Sequence, residues 1–136
     1  MILGIGNDIV EIARIEKAIQ NESFKKRVYT LAEIELIEKK GAGKIASYAG
    51  RFSAKEAISK AMGTGVRGFN LIDIEILNDD IGKPLVIFKN DLKDKMKGKR
   101  VELSISHSRE YATAVAIILR EERSEEHTSE LQSLAY

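Results

Sequence analysis

Apolar residues in the first half of the chain recur every three or four positions, which is the spacing of one face of a helix. From Ile9 they return at Ile12 and Ile15, and this pattern predicts a first helix that ends near Gln20. The opposite face of this predicted helix is basic. Residues 24–29 are predicted only to connect it to the next helix.

Two further helices are predicted in this half. The second begins after Thr30, because a threonine followed three residues later by Glu33 is the pattern of a capping box, and Gly41 ends it. The third covers 44–62, where alanines and larger apolar residues dominate one side. The glycine-rich sequence at 63–65 ends this long helix.

In the second half, alternation of apolar and polar residues predicts strands instead. The predicted strands are 71–77, 85–88, 101–106 and 111–119. The segment 85–88 is predicted to be a strand because it follows a turn and can pair with 71–77 as a hairpin. The turn-forming residues 78–84 indicate a β-hairpin, and 90–97 indicate a short charged helix. The predicted fold is α+β: a single domain in which a helix-rich first half packs on an antiparallel sheet.

One more strand is predicted at the start of the chain. The apolar run at 2–6 is long enough for a buried strand, and Gly4 and Gly6 predict that it packs closely against other backbone. Asp8 follows where this strand would end. Its position is compatible with the N-cap of the next helix and with a metal ligand, and the local sequence favours the cap.

The composition narrows the chemistry of this chain of 136 residues. It contains no cysteine, which excludes disulfides, thiolate zinc sites and cysteine nucleophiles. No segment has the length and apolar character of a signal peptide or a transmembrane helix, so we expect a soluble, cytoplasmic protein without a membrane partner. The formal net charge of +1 gives no indication of nucleic-acid binding.

The last residues of the chain do not resemble the rest. The run RSEEHTSELQS at 123–133 resembles a translated DNA sequencing adapter. We therefore expect 1–122 to form the domain and 123–136 to be an artefactual, disordered tail. Without that tail the chain carries 21 basic and 18 acidic residues, a net charge of +3. A native polar tail is the alternative interpretation.

The segment RFSAKEAISKAMGTG at 51–65 carries the densest set of candidate site residues. Glu56 and Lys60 lie four positions apart and share one helical face, as do Arg51 and Lys55. Such a face is commonly a solvated surface with ion pairs, but its alanines also allow a ligand or another chain to approach closely. The glycines that end the segment are a weak indication of an anion-binding turn.

His107 lies at the predicted end of a strand, between Ser106 and Ser108. A single histidine is more often structural than catalytic, and the sequence contains no nucleophile elbow, P-loop or dinucleotide-binding pattern. With one credible histidine and no cysteine, the carboxylates favour a hard ion such as Mg²⁺ over zinc.

Four segments together resemble the holo-acyl-carrier-protein synthases, the small bacterial type of phosphopantetheinyl transferase. They are GIGNDIVEIARI at 4–15, RFSAKEAISKAMGTG at 51–65, GKP at 82–84 and SISHSREYATAVAI at 104–117. The resemblance runs from Met1 to about Glu121 and implies the 4′-phosphopantetheinyl transferase fold. It implies transfer of 4′-phosphopantetheine from coenzyme A to a serine of apo-acyl carrier protein, in support of fatty acid biosynthesis, with release of adenosine 3′,5′-bisphosphate.

The resemblance also implies Mg²⁺, a homotrimer, and active sites in the clefts between neighbouring subunits. By motif position, Asp8 and Glu56 are the implied metal ligands and Lys60 reaches the pyrophosphate of coenzyme A; together with His107 they are the implied catalytic residues. The residues implied on the coenzyme A side are Arg51, Lys60, Gly63, Thr64, Gly65, Pro84 and His107. The basic residues implied to meet the acidic carrier protein are Arg14, Lys17, Lys25, Lys26 and Arg27.

Two other classes of function stay open from the residues. A binding module that holds coenzyme A or carrier protein without turnover would not need Asp8, Glu56 and Lys60 together. A metal-dependent phosphohydrolase would use water in place of the carrier's serine, and such enzymes usually carry more carboxylates or histidines for a two-metal site.

Overall fold

The computed structural model describes residues 1–63 and 68–121. The predicted site residues Thr64 and Gly65, and the tail from 123 onward, lie outside the described residues. The elements in chain order are β1 (Ile2–Glu11), α1 (Ile12–Ala18), α2 (Glu22–Val28), α3 (Leu31–Glu38), α4 (Lys44–Met62), β2 (Ile74–Asn78), β3 (Pro84–Phe88), α5 (Asp91–Lys95), β4 (Lys99–His107) and β5 (Tyr111–Arg120). None of the described helices is both long and apolar enough to cross a membrane.

Three strands form an antiparallel sheet in the order β1-β5-β4, and β2 and β3 form a separate antiparallel hairpin. Helix α4 packs across the sheet and buries Ala57, Ile58 and Ala61 against β5 residues such as Ala114 and Ala116. The predicted α+β class, with helices concentrated in the first half, is confirmed. The long helix also has the predicted bounds of 44–62.

The two glycines of β1 allow this strand to lie directly against the backbone of α4. A Cβ atom built on Gly6 would overlap the carbonyl oxygen of Ala57, and one on Gly4 would overlap that of Ala61. Even alanine is therefore too large at either position. The close backbone approach predicted from these glycines is confirmed.

The predicted end of the first strand is wrong. Residues 7–11 continue β1 and pair with 111–115 of β5, so the strand runs through Asp8 and α1 begins only at Ile12. The residue that precedes α1 is Glu11, and its side chain makes no capping hydrogen bond. The interpretation of Asp8 as a helix cap is therefore also wrong.

Two other segments form helical turns that the apolar pattern did not reveal. Helix α2 occupies the segment predicted only as a connection, and the Asn21 side chain accepts a hydrogen bond from the backbone N–H of Phe24. The predicted strand 71–77 begins with a 3₁₀ turn, Leu71–Asp73, which is closed by a capping box from Asn70. In both places a short polar side chain satisfies free backbone N–H groups at the start of the turn.

Candidate active site

Asp8 is fixed at the contact between β1, α4 and β5. Its backbone carbonyl accepts hydrogen bonds from Ser53 Oγ at 3.0 Å and from Thr113 Oγ1 at 2.8 Å. The Ser53 hydroxyl also lies 3.3 Å from Oδ2 of the Asp8 side chain. Asp8 lies on the same face of β1 as Gly4 and Gly6, because side chains alternate along a strand. The carboxylate is thus held beside α4 and is only 16% exposed.

Lys60 lies on α4 next to this carboxylate. Its Nζ donates to Oδ1 of Asp8 at 2.9 Å and to the backbone oxygen of Asn7 at 3.1 Å. The lysine side chain is 56% exposed, so most of its stem remains in contact with solvent. The structure therefore places two of the predicted site residues in direct contact.

Glu56 precedes Lys60 by about one helical turn and is half-buried. Burial raises the pKa of its carboxyl group, the Asp8 carboxylate raises it further, and the Lys60 ammonium partly opposes both effects. Asp8 and Glu56 therefore lie close enough for their charges to interact, as expected of two groups that face one site.

This pair of carboxylates fits a hard divalent cation such as Mg²⁺. Within residues 1–63 and 68–121 there is no group of three or more histidine, aspartate and glutamate side chains that could hold a metal. Mg²⁺ is usually bound by one or two carboxylates together with water and substrate phosphate oxygens, so a two-carboxylate site suffices for it. Zinc would need more protein ligands than this site offers.

A cavity of about 650 Å³ lies on the other side of α4. It is open to solvent and is lined mainly by the first half of α4, by the turn between β2 and β3, and by the end of β4. Its polar and charged lining residues are Lys40, Ser47, Arg51, Asn78, Ser104 and His107, and Pro84 also lines it. The structure thus brings together Arg51, Pro84 and His107, three residues that the resemblance assigned to the coenzyme A side.

The sequence predicted no functional role for Lys40 or Asn78, which also line this cavity. Lys40 follows the end of α3, and Asn78 is the last residue of β2. Asn78 was recognised only as part of the turn between two strands, and Lys40 belongs to no motif, so neither was expected in a binding cavity. The one local indication that Lys40 could bind an anion was its position next to glycines, shortly before the start of α4.

Arg51 is a structural part of the cavity wall, with its side chain almost completely buried. The guanidinium donates to Ile76 O at 3.0 Å, to Ser47 Oγ at 2.6 Å and to Asn78 Oδ1 at 2.7 Å. Burial lowers the pKa of Arg51, although the charge of Glu33 opposes this. The solvated-surface interpretation of this residue is therefore wrong.

The same correction applies to Lys55, which forms a fully buried ion pair. Its Nζ lies 2.8 Å from Glu33 Oε1 and also donates to the backbone oxygen of Val28. Glu33 accepts further hydrogen bonds at 2.8 Å from the N–H groups of Thr30 and Ile76. Burial lowers the pKa of Lys55, and the Glu33 carboxylate opposes that shift. This pair connects α4 to α3 and β2.

The predicted site residues therefore form two groups within one chain. Arg51 and Lys60 are separated by nine positions of a helix, a rotation of about 180°, so the two groups lie on opposite sides of α4. None of Asp8, Glu56 and Lys60 lines the cavity. Gly63, the remaining described residue of the predicted set, ends α4 with a φ of 65° and is exposed.

The sequence matches the 4′-phosphopantetheinyl transferase superfamily over residues 4–116. The match includes β1 from Gly4 onward, α4 and the cavity residues of β4, and so covers both groups of site residues. The chain therefore belongs to the 4′-phosphopantetheinyl transferase superfamily.

Relatives of this chain define its place in the superfamily. It is 60% identical over 123 residues to the holo-[acyl-carrier-protein] synthase of Fusobacterium nucleatum, a match that covers 88% of this chain and 100% of the relative. It is 52% identical over 122 residues to the synthase of Clostridium tetani, covering 87% and 96% of the two chains. The chain is thus grouped with the holo-[acyl-carrier-protein] synthases.

Solved structures show the same fold. The holo-[acyl-carrier-protein] synthase of Neisseria meningitidis matches with a TM-score of 0.80 and 33% identity, covering 88% of this chain and 100% of that one. The synthase of Bacillus anthracis, solved in complex with CoA (3′,5′-ADP), matches with a TM-score of 0.72 and 43% identity, covering 87% and 96%.

Proposed function

We propose that this protein transfers 4′-phosphopantetheine from coenzyme A to a serine of apo-acyl carrier protein. The observation that carries the proposal is the cluster of Asp8, Glu56 and Lys60 in a chain whose 60% identical relative is a holo-[acyl-carrier-protein] synthase. The cavity lined by Arg51 and His107 supports coenzyme A as the donor, because coenzyme A carries several phosphate groups.

The direct test is incubation of the protein with coenzyme A, Mg²⁺ and apo-acyl carrier protein, followed by the mass of the carrier. We expect a gain equal to one phosphopantetheine group. An unchanged carrier mass, from a folded protein and with several carriers, would contradict the proposal. Binding of coenzyme A without this gain would instead support a binding module, and release of the phosphopantetheine moiety to water would support a hydrolase.

We propose that Asp8 and Glu56 hold Mg²⁺. When bound, the ion would neutralise charge that develops on the phosphate oxygens during transfer. Asp8 is well suited to this role because Ser53 and Thr113 already fix its backbone and one side-chain oxygen. A water held by the Asp8 and Glu56 carboxylates is our candidate for the acceptor of the serine proton.

Lys60 is proposed to bind the pyrophosphate of coenzyme A. Its side chain is long and more than half exposed, so the ammonium can move from Asp8 to a phosphate oxygen without disturbing the core. At that position it would stabilise negative charge on the reacting phosphate and on the leaving group.

We propose that the active enzyme is a homotrimer with its sites between subunits. Two observations support such an assembly. The carboxylate cluster and the cavity lie on opposite sides of α4, so one coenzyme A molecule would more readily contact the cavity of one copy and the carboxylates of the next. The outer face of β1 and β5 also exposes Ile5, Ile9, Tyr111 and Val115, and an apolar surface of this kind is suited to contact with another copy.

The basic residues of α1 and α2 are proposed to bind the acidic carrier protein. The structure divides them by their contacts. Lys25 lies 3.9 Å from Glu38 and over the ring of Tyr48, and Arg27 donates to Ser23 at 2.6 Å. Arg14, Lys17 and Lys26 form no ion pair with any described residue, which makes them the better candidates. The cytoplasmic location expected from the sequence remains part of the proposal.

A further inference from the structure

Both side-chain oxygens of Asp8 already have a partner. Ser53 Oγ lies 3.3 Å from Oδ2, and Lys60 Nζ donates to Oδ1 at 2.9 Å. A cation that binds this carboxylate must displace one of these partners or share its oxygen, because an ammonium and a metal ion seek the same negative charge. The contacts of Asp8 therefore bear on how tightly its site can hold a cation.

The two partners differ in how easily they can leave. Ser53 is completely buried, and the same hydroxyl lies 3.0 Å from the backbone oxygen of Asp8. Lys60 is 56% exposed, and its ammonium would be well solvated after displacement. The lysine is therefore the partner that gives way.

We infer that Lys60 competes with the divalent cation for Asp8 and so sets the affinity of the site for that cation. This inference rests on the proposed function, since it assumes that Asp8 is a metal ligand. Once displaced, the ammonium stays within reach on its flexible stem and can bind a phosphate. Binding of the cation therefore releases Lys60 to bind coenzyme A, and binding of coenzyme A draws Lys60 away from Asp8 and so favours the cation. By linkage, each ligand increases the affinity for the other by the same factor.

The test is a titration of the full chain with Mn²⁺ alone, with free Mn²⁺ followed by electron paramagnetic resonance. We expect Lys60→Met to bind Mn²⁺ about fivefold more tightly than the unmodified protein, because an exposed ion pair no longer has to be broken. Lys60→Arg keeps the charge and is expected to bind about as weakly as the unmodified protein. Lys39→Met is the matched control, since it removes the same charge from an exposed pair with Glu35.

A second measurement tests the release of the lysine towards phosphate. The ratio of Mn²⁺ dissociation constants without and with coenzyme A should be larger in the unmodified protein than in Lys60→Met. Equal ratios would contradict the coupling. Thermal unfolding of each variant confirms that it is folded, which we expect because the Lys60 side chain is largely exposed.

Failure of the inference is distinguishable from failure of the proposed metal site. If Asp8→Asn weakens Mn²⁺ binding while Lys60→Met leaves it unchanged or weaker, the site stands and the competition is wrong. If Mn²⁺ binds equally to the unmodified protein and to Asp8→Asn, or to neither of them with or without coenzyme A, the metal site is wrong and the competition is wrong with it.

Discussion

Asp8 has little freedom to move, since its backbone oxygen is held by two hydroxyl groups and its carboxylate lies between Ser53 and Lys60. Glu56 is less constrained but is partly removed from water. A fixed carboxylate beside a more adaptable one suits a cation that must also accept a substrate phosphate among its ligands.

Replacing either carboxylate by its amide should remove most activity without unfolding the protein. Asp8→Asn and Glu56→Gln keep the shape of the side chain but not its charge, and we expect kcat to fall by roughly a hundredfold or more. The measurement is the rate of carrier modification at saturating Mg²⁺, with circular dichroism to verify the fold. Glu35→Gln, in an exposed pair with Lys39, is the control. Near-normal rates in both amide variants would show that these residues are not the ligands.

The sequence predicted a set of candidate site residues, but it misplaced Asp8 within the fold. Apolar residues at 9, 12 and 15 fit a helix, and they did not reveal that residues 7–11 pair with β5. Asp8 contacts Thr113, 105 positions further along the chain. Contacts between such distant residues override local spacing and leave no periodic signal of their own.

The elements around the site are joined by polar contacts as well as by apolar packing. Lys55 and Glu33 connect α4, α3 and β2, and the hydrogen bonds of Arg51 connect α4 to the end of β2. Every buried side-chain nitrogen and oxygen atom in the described part of the chain has a hydrogen-bond partner. This internal network aligns the cavity wall with the helix that carries Glu56.

Removal of one partner of the buried ion pair should destabilise the protein strongly. Lys55→Met leaves the Glu33 carboxylate buried without its counter-charge, which is expected to cost about 3–5 kcal/mol of unfolding free energy. The double variant Lys55→Met with Glu33→Gln removes both charges of this pair, so it should recover a large part of that loss. Urea denaturation of the three proteins measures this. A double variant less stable than Lys55→Met would contradict the role of the stranded charge.

The contact between β1 and α4 leads to a second prediction about stability. Gly6→Ala places a Cβ atom against the carbonyl of Ala57, so strand and helix must separate, at a cost of roughly 1–3 kcal/mol. Gly43→Ala is the control, because a Cβ there meets no atom within 4 Å and the φ of −85° suits alanine. Thermal unfolding should show a lower Tm for the first variant and an almost unchanged one for the second. Equal Tm values would contradict the close approach.

Sequence patterns predicted these elements with unequal success, for physical reasons. Helix α4 was predicted with its observed bounds, because its long alanine-rich pattern stands between glycines that end helices. Burial of Arg51 and Lys55 was not predicted, since it depends on α3 and the β2–β3 hairpin packing on that helix. Charged residues at helical spacing look the same whether they face solvent or a buried partner.

At the scale of the whole molecule, the outer face of the sheet should control assembly. Ile9 is 66% exposed on β1, and Ile9→Glu would place a charge on the apolar surface that we propose to contact another copy. We expect this variant to be a folded monomer by light scattering, with most of its activity lost. Ile81→Glu is the control, because Ile81 is 87% exposed in the turn between β2 and β3. A trimeric, active Ile9→Glu protein would show that this face is not the interface.

Shared active sites lead to a sharper prediction for mixtures of inactive chains. Asp8→Asn affects the carboxylate group and His107→Ala affects the cavity, on opposite sides of α4. If each site takes its carboxylates from one copy and its cavity from the next, random mixed trimers contain both intact halves in about one quarter of their sites. Co-expression of the two variants should therefore restore about that share of the normal rate.

The control for this complementation is co-expression of Asp8→Asn with Glu56→Gln. Both changes affect the same half of the site, so no copy supplies an intact pair of carboxylates and activity should stay as low as in either variant alone. Mass spectrometry of the intact assemblies verifies that mixed trimers have formed. Recovery in this control would show that Asp8 and Glu56 act from different copies. Verified mixed trimers of Asp8→Asn and His107→Ala could instead remain inactive. That result would show that each chain contains a complete site, although α4 lies between the two halves of it.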